Sequence, residues 1–334
     1  MWNRRWTAAS AALAVCAFAA GCGSDDDKAA DKSTNKAAKI AYLTYSYQDY
    51  QQTEQAGMEE AVSKDGGSVK SFNANFDPGM QQKQCLDVIT SRRYNAIVLS
   101  PVSSPTAVGC VKAAKNAGVP VITLEGAVGN DPSKLEPQVE GVVGVVALPP
   151  NEGGQTLSQL VALACDGKDP CKVIADLIPG DVYGEAYDKA ISATPGVKIV
   201  QRINSMYDNT RMQKAMPDAL SAHPDADVLI TIGDNTAVAA LPAIKDAGLT
   251  GKIKVIGAGG SRQGAAGVKD GQLFATAGTW PRLAGTIAGG MAVKAVNGQK
   301  IDPVSVNAQK INKPELVTKE NVDQFKPEWG PAAN

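Results

Sequence analysis

Short apolar, β-branched runs recur along this chain with longer segments of helical period between them, and this alternation restricts the possible folds more than any other feature. The runs are KIAYLT (39–44), SVKSF (68–72), AIVLS (96–100), PVITL (120–124), GVVGVV (141–146), KVIADLI (172–178), VKIVQRI (197–203), VLITI (228–232), KVIGA (254–258) and LFATA (273–277). The segments between them include DPGMQQKQCLDVITSRR (77–93), SPTAVGCVKAAKNAG (104–118), TRMQKAMPDALSAHP (210–224) and DNTAVAALPAIKDAG (234–248). Several open on a proline or close on a glycine, residues that suit the first turn and the end of a helix. Strands alternating with helices imply parallel sheets, the fold class α/β. A length of 334 residues exceeds one average domain, so two are expected. TAVGCVKAAKNAG (106–118) and TAVAALPAIKDAG (236–248) agree at seven of thirteen positions, each between two apolar strands. That shared context favours two similar α/β domains over a chance likeness of alanine-rich helices.

Residues 1–21 read as an export signal. Arg4 and Arg5 precede the apolar, small-residue run TAASAALAVCAFAA, which is too short for a comfortable permanent span. Ala19, Ala20 and Gly21 directly before Cys22 resemble the lipobox of bacterial lipoproteins, with Ala19 where leucine is usual. The resemblance implies cleavage before Cys22 and a diacylglyceryl thioether on its sulfur, anchoring the protein to the membrane. Residues 22–38 make up a tether: after Cys22 they hold no large apolar side chain and so cannot offset the entropy of ordering.

Composition excludes several classes. A formal charge of -1 with dispersed lysines offers no basic stripe for DNA or RNA. The only histidine, His223, lies in the polar stretch SAHPDAD, so neither a histidine-based triad nor a metal cluster is expected. GAGGSRQG (257–264) lacks ordered Gly-x-Gly-x-x-Gly spacing at the first strand and helix and reads as a turn at a cleft edge. With no nucleophile elbow or Walker motif either, no enzyme activity and no cofactor are expected. Beyond Cys16 and Cys22, four cysteines remain, an even number that outside the cytoplasm suggests two disulfides. Cys165 and Cys171 bracket the polar turn DGKDP, which suggests a local bridge. Right-handed winding sets the second and third helices of the first domain side by side. Cys85 follows Pro78 by seven residues and Cys110 follows Pro105 by five. Their similar heights permit a bridge, and two buried free thiols remain the alternative.

Five segments together carry a family resemblance: NAIVLSPVSSPTAVGCVKAAKNAGVPVITL (95–124), SAHPDADVLITIGDNTAVAALPAIKDAG (221–248), IKVIGAGG (253–260), VKDGQLFATAG (268–278) and NKPELVTKENVDQF (312–325). In order and spacing they resemble the type I periplasmic binding proteins, the ribose/galactose-binding branch of ABC-transporter solute receptors. The resemblance implies two Rossmann-like, doubly wound lobes joined by a three-segment hinge, with a ligand held between them. It also implies hinge closure on binding and docking of the closed form, as a monomer, on a membrane permease. The N-terminal lobe would comprise residues 39–146 plus 279–300, and the C-terminal lobe 147–278 plus 301–330.

The resemblance places ligand contacts as well. Counted back from Gly57, the family's aromatic pair at the start of the first helix falls on Tyr50 and Gln51, one ring kept and one lost. Tyr45 and Tyr47, just ahead, are candidates for the missing wall, since a phenol offers an apolar face and a hydroxyl; Tyr42, inside the strand, reads as core. Glu125 in VITLEG matches the family's acidic acceptor for ligand hydroxyls or amines, and Tyr207 in SMYDN its aromatic after the seventh strand. Asp234, with Asn235 beside it, matches the aspartate after the eighth strand, and an N-cap role for Asp234 stays open. Against the family pattern, Tyr187 replaces an arginine, Gly233 an asparagine, Gly259 an aspartate, and Thr279, followed by Trp280, a glutamine. Trp280, Arg262 and Arg282 are candidate compensations, with surface roles as the alternative for each. Losing polar groups that discriminate hydroxyl patterns argues against plain ribose or glucose and implies a roomier, more aromatic cleft. The expected function is a lipid-anchored extracytoplasmic receptor that captures a sugar or sugar-like ligand and delivers it to an ABC importer. The alternative is a receptor presenting a non-sugar molecule to a membrane signalling partner. A sugar-responsive repressor of the same fold would need a helix-turn-helix where the signal and lipobox stand.

Overall fold

The computed structural model describes residues 35–331; the export signal and Cys22 lie outside the described residues. The chain begins β1 (Lys39–Thr44), α1 (Asp49–Ser63), β2 (Ser68–Asn73), α2 (Pro78–Ser91), β3 (Ala96–Leu99), α3 (Ser104–Asn116), β4 (Val121–Glu125) and β5 (Val142–Ala147). It continues α4 (Pro150–Cys165), β6 (Cys171–Asp176), α5 (Val182–Ser192), β7 (Val197–Ile203), α6 (Asn209–Ala222), β8 (Val228–Ile230), α7 (Asp234–Asp246), β9 (Lys254–Gly259), α8 (Arg262–Lys269) and β10 (Ala275–Gly278). It closes with α9 (Pro281–Val296), β11 (Ser305–Asn307) and β12 (Leu316–Thr318).

These strands form two six-stranded sheets, β2-β1-β3-β4-β5-β11 and β7-β6-β8-β9-β10-β12. Every pairing is parallel except that of β12 with β10. The two orders are the same order repeated. Helices cover both faces of each sheet, which is why a strand such as AIVL of β3 is buried along its whole length and reads as a continuous apolar run.

The chain passes between lobes after β5, after β10 and after β11. The sequence-based boundary at residue 300 gave residues 301–330 to the second lobe; instead β11 pairs with β5 in the first sheet, and only β12 joins the second. Both strands have three residues and stand in no longer apolar run, so the sequence shows no period there. Cys85 of α2 and Cys110 of α3 are disulfide-bonded with Cα atoms 5.8 Å apart, and Cys165 and Cys171 are bonded across the α4–β6 turn.

The tightest helix contact sets the position of α1. A Cβ on Gly57 would stand 2.0 Å from the Arg282 carbonyl oxygen, and one on Gly285 would stand 2.0 Å from that of Glu54. Glycines therefore let the backbones of α1 and α9 touch, and α1 carries the first residues of the site described next.

Candidate functional site: a cleft between the lobes

Ligands of open α/β sheets sit beyond the carboxyl ends of the strands, and here groups from those ends in both lobes meet. Glu125 closes β4 with φ +65°, a left-handed conformation that costs a non-glycine residue about 1–3 kcal/mol and persists only where its surroundings impose it. Its carboxylate accepts from the Tyr45 hydroxyl at 2.7 Å, with the Gln51 amide nitrogen at 3.5 Å. Gln51 donates to the Tyr45 oxygen at 3.0 Å and accepts from the Ser46 hydroxyl at 3.0 Å. The position that lost a ring thus holds a buried amide that orders the loop between β1 and α1. From the second lobe, the Tyr183 hydroxyl lies 3.0 Å from the Glu125 carbonyl oxygen and 3.1 Å from that of Leu148, spanning two strand exits of the first lobe.

Beneath Glu125 lies a second carboxyl, from Glu54 of α1. It is 1% exposed, accepts from the Tyr42 hydroxyl and stands within hydrogen-bonding reach of Glu125. Burial pushes the Glu54 carboxyl well above the usual carboxylate range, and the Glu125 charge pushes it further. Burial also raises Glu125, against the hydrogen bonds of Tyr45, Glu54 and Gln51. One proton shared by the pair relieves their repulsion. Burial, and then the carboxyls, raise the Tyr42 and Tyr45 hydroxyls far above their ordinary value, so both remain neutral donors.

A carboxyl whose folded pKa lies above its unfolded value of about 4.3 holds more protons folded than unfolded between the two, so stability falls as pH rises through that window. Glu54→Gln keeps an acceptor for Tyr42 and removes the charge. Its thermal midpoint relative to wild type should climb as pH rises above about 4.3, a gain of up to about 1–3 kcal/mol, the usual cost of an imperfectly compensated buried polar group. A difference independent of pH would refute the shared-proton arrangement.

In the second lobe, the loop after β7 carries Met206 and Tyr207, both left-handed at φ +51° and +59°. The Asp176 carboxylate holds this loop by accepting from the Ser205 amide at 2.8 Å and its hydroxyl at 2.6 Å. Asn235 donates to the Tyr207 carbonyl oxygen at 2.7 Å. The Tyr207 ring, 38% exposed, lies over Gly233, where a Cβ would stand 3.2 Å from its Cδ1. Tyr187 packs on Gly153 and stands edge-to-face with Tyr183 at 6.1 Å. The first lobe repeats the loop: Asn75 and Phe76 are left-handed ahead of the helix-capping Asp77, as Met206 and Tyr207 are ahead of Asp208. The Phe76 ring contacts Tyr45 at 5.4 Å. At the third edge, Trp329 of the C-terminal segment meets Tyr50 edge-to-face at 5.1 Å.

The structure therefore brings Tyr45, Tyr50, Gln51, Glu125, Tyr187 and Tyr207 to one cleft, with Asn235 supporting Tyr207 from behind. Three expected contacts lie elsewhere. Asp234 is fully buried in the second lobe, accepting from the Ser261 amide and the Thr276 hydroxyl, each at 2.6 Å. It ties the start of α7 to the N-cap of α8 and to β10, and the N-cap of α7 is Gly233. Trp280 is 2% exposed and packs edge-on to Phe325 in the hydrophobic core. Tyr47 turns along α1 and donates to Gln55 at 2.7 Å, away from Glu125. Arg282 pairs with Glu60 on the surface, and Arg262 holds the C-terminal segment. The cleft is aromatic as expected, yet the space freed at Gly233 is taken by Asn235 and Tyr207 and that at Gly259 by Trp329. Sequence reasoning passed over Glu54, Tyr183, Asp176, Phe76 and Trp329. A signal existed for Phe76: its step into Asp77 matches that of Tyr207 into Asp208 at equivalent points of the two lobes.

A profile of the family described as periplasmic binding protein domain matches residues 40–300. The chain belongs to this family. Among curated relatives, it is 27% identical over 263 residues to the ribose import binding protein of Bacillus subtilis, covering 76% of this chain and 81% of that one. It is 24% identical over 323 residues to the xylitol-binding protein of Mycolicibacterium smegmatis, covering 95% and 85%. Among solved periplasmic binding proteins, an ABC transporter solute binding protein of Mycobacterium smegmatis with bound glycerol superposes with a TM-score of 0.73 at 25% identity, covering 90% of this chain and 100% of that one.

Proposed function

We propose that this periplasmic binding protein is the solute receptor of an ABC importer and that its ligand is a neutral, polyhydroxylated molecule, a sugar or polyol. The observation that carries this reading is Glu125, held in a strained backbone with its carboxylate at the meeting of the lobes. A carboxylate accepts hydrogen bonds from hydroxyls, while phenol and indole faces take C–H surface. The groups gathered around it are phenols, an amide, an indole and a second carboxyl, and the two carboxyls disfavour an anionic ligand. The relatives named for ribose and xylitol, and the solved relative with bound glycerol, support the same class. Family membership places the protein outside the cytoplasm. Anchoring through Cys22 rests on the lipobox-like AAGC, and loss of membrane association in Cys22→Ala tests it. The receptor acts as a monomer that presents its closed lobes to a permease.

A thermal-shift panel tests the ligand class. At 100 times its dissociation constant a ligand adds about 2.7 kcal/mol, roughly 5–10 °C for a lobe of this size. D-ribose, D-allose, xylitol, myo-inositol and glycerol supply neutral candidates, and D-ribose 5-phosphate and D-glucuronate supply anions. The expected outcome is a shift from at least one neutral compound and none from the anions; shifts from anions alone would overturn the assignment.

A further inference from the structure

Trp329 stands five residues before the end of the chain, yet the segment that bears it is held at every turn. The Trp329 carbonyl accepts from the Arg262 amide at 2.9 Å. The Arg262 guanidinium donates to the carbonyl oxygens of Gly330 at 2.8 Å and Glu328 at 3.0 Å. The Glu328 carboxylate accepts from the Arg282 and Leu283 amides at 2.8 and 3.2 Å. These anchors are the first turns of α8 and α9, which follow the carboxyl ends of β9 and β10, so the segment crosses the molecule at the level of the cleft. Its indole spans the gap. The ring nitrogen donates to the Gly259 carbonyl of the second lobe at 2.7 Å, and the ring edge meets Tyr50 of the first. Gly259 itself, at φ +122°, has no room for a side chain: a Cβ would stand 2.6 Å from Trp329 Cζ2. The indole therefore occupies the place that a side chain from the end of β9 would otherwise take.

We propose that Trp329 is a ligand-contacting wall of the cleft, and that its locked indole selects cyclic sugars or cyclitols over open-chain polyols. This deepens the reading above and rests on it. The single hydrogen-bond donor of the ring is spent on Gly259, so what remains for a ligand is a rigid apolar face. A rigid ring presenting a patch of C–H bonds fills such a face without losing internal freedom, whereas an open-chain polyol must freeze several torsions to do the same.

Calorimetric titration of the mature chain and its Trp329→Ala and Trp329→Phe variants, with D-ribose, D-allose and myo-inositol against xylitol and glycerol, tests this. The cyclic compound that binds best should bind Trp329→Ala at least about 10-fold more weakly, and Trp329→Phe within about 3-fold of wild type, since a phenyl face restores most of an aromatic contact. Binding should change wild-type tryptophan emission and leave that of Trp329→Phe unchanged, because the remaining Trp280 is buried in the core. Wild-type affinity in Trp329→Ala, or tighter binding of xylitol or glycerol than of every cyclic compound, overturns the inference and leaves the solute-receptor reading intact. Absence of binding by every neutral compound overturns both. Ligand-free melting of the variants controls for folding: a Trp329→Ala chain that melts as wild type and still loses affinity supports a contact role.

Discussion

Replacing Glu125 with glutamine should weaken ligand binding by roughly 10- to 100-fold, the loss expected when hydrogen bonds to a charged acceptor worth about 1.5–3 kcal/mol become neutral ones. The same change should leave the ligand-free protein as stable as wild type or more so. In the unliganded cleft Glu125 faces the buried Glu54 carboxyl, and glutamine at 125 removes the neighbouring charge that pushes Glu54 up, so the pair no longer has to hold a proton between them. Tyr45 can still donate to the amide oxygen. Affinity and stability should therefore move in opposite directions, as at sites where function is maintained against local stability. Isothermal titration beside calorimetric melting reads both. A variant that loses affinity only in proportion to a fall in melting temperature would show that Glu125 props up the fold rather than holding the ligand.

Gly285→Val should destabilise the protein by about 3 kcal/mol or more, at the upper end of overpacking costs. That corresponds to a fall in melting temperature of roughly 10 °C. The clash is with main chain: a Cβ at this position would stand 2.0 Å from the Glu54 carbonyl oxygen and 2.8 Å from its carbon. Neither atom belongs to a side chain that can rotate aside, so α1 and α9 must separate. Gly290 in the same helix provides the control, since nothing lies within 4 Å of a Cβ there. Gly290→Ala should be neutral or stabilising by up to about 1 kcal/mol, because alanine is the better helix former. Equal melting temperatures for the two variants would refute the close helix contact. The site would feel the first variant as well, since α1 carries Tyr50, Gln51 and Glu54.

Ten strands were legible because each lies in an apolar or β-branched run of five or more residues, and their ends fall within about two residues of the observed ones. β11 and β12 were not, because unlike the three residues of β8 they stand in no longer apolar run, and each is a strand only through its partner. The cleft was half legible. Tyr50, Glu125 and Tyr207 could be found by register, since each lies at a strand end or a helix start that the family plan already defines. Asp234 also opens a helix, one residue past the N-cap Gly233, but one residue along a helix turns a side chain by about 100°, here into the lobe interior. Glu54 was invisible for the opposite reason: a glutamate amid Gln, Thr and Ala on a helix looks like solvent-facing polarity until the packing of α9 buries it.

By itself the sequence determined the class of fold, the doubling of the lobes and the family, because these depend on periodicity and order along the chain, which are local properties. Only the tertiary structure decided which polar groups line the cleft and what fills the space that glycines leave. The two glycines that replace polar family residues look like simple losses in the sequence. In the fold Asn235 and Tyr207 take the space at the first and Trp329 that at the second, the last from a segment 70 residues away in the chain, and excluded volume between such distant segments exists only once the chain is folded.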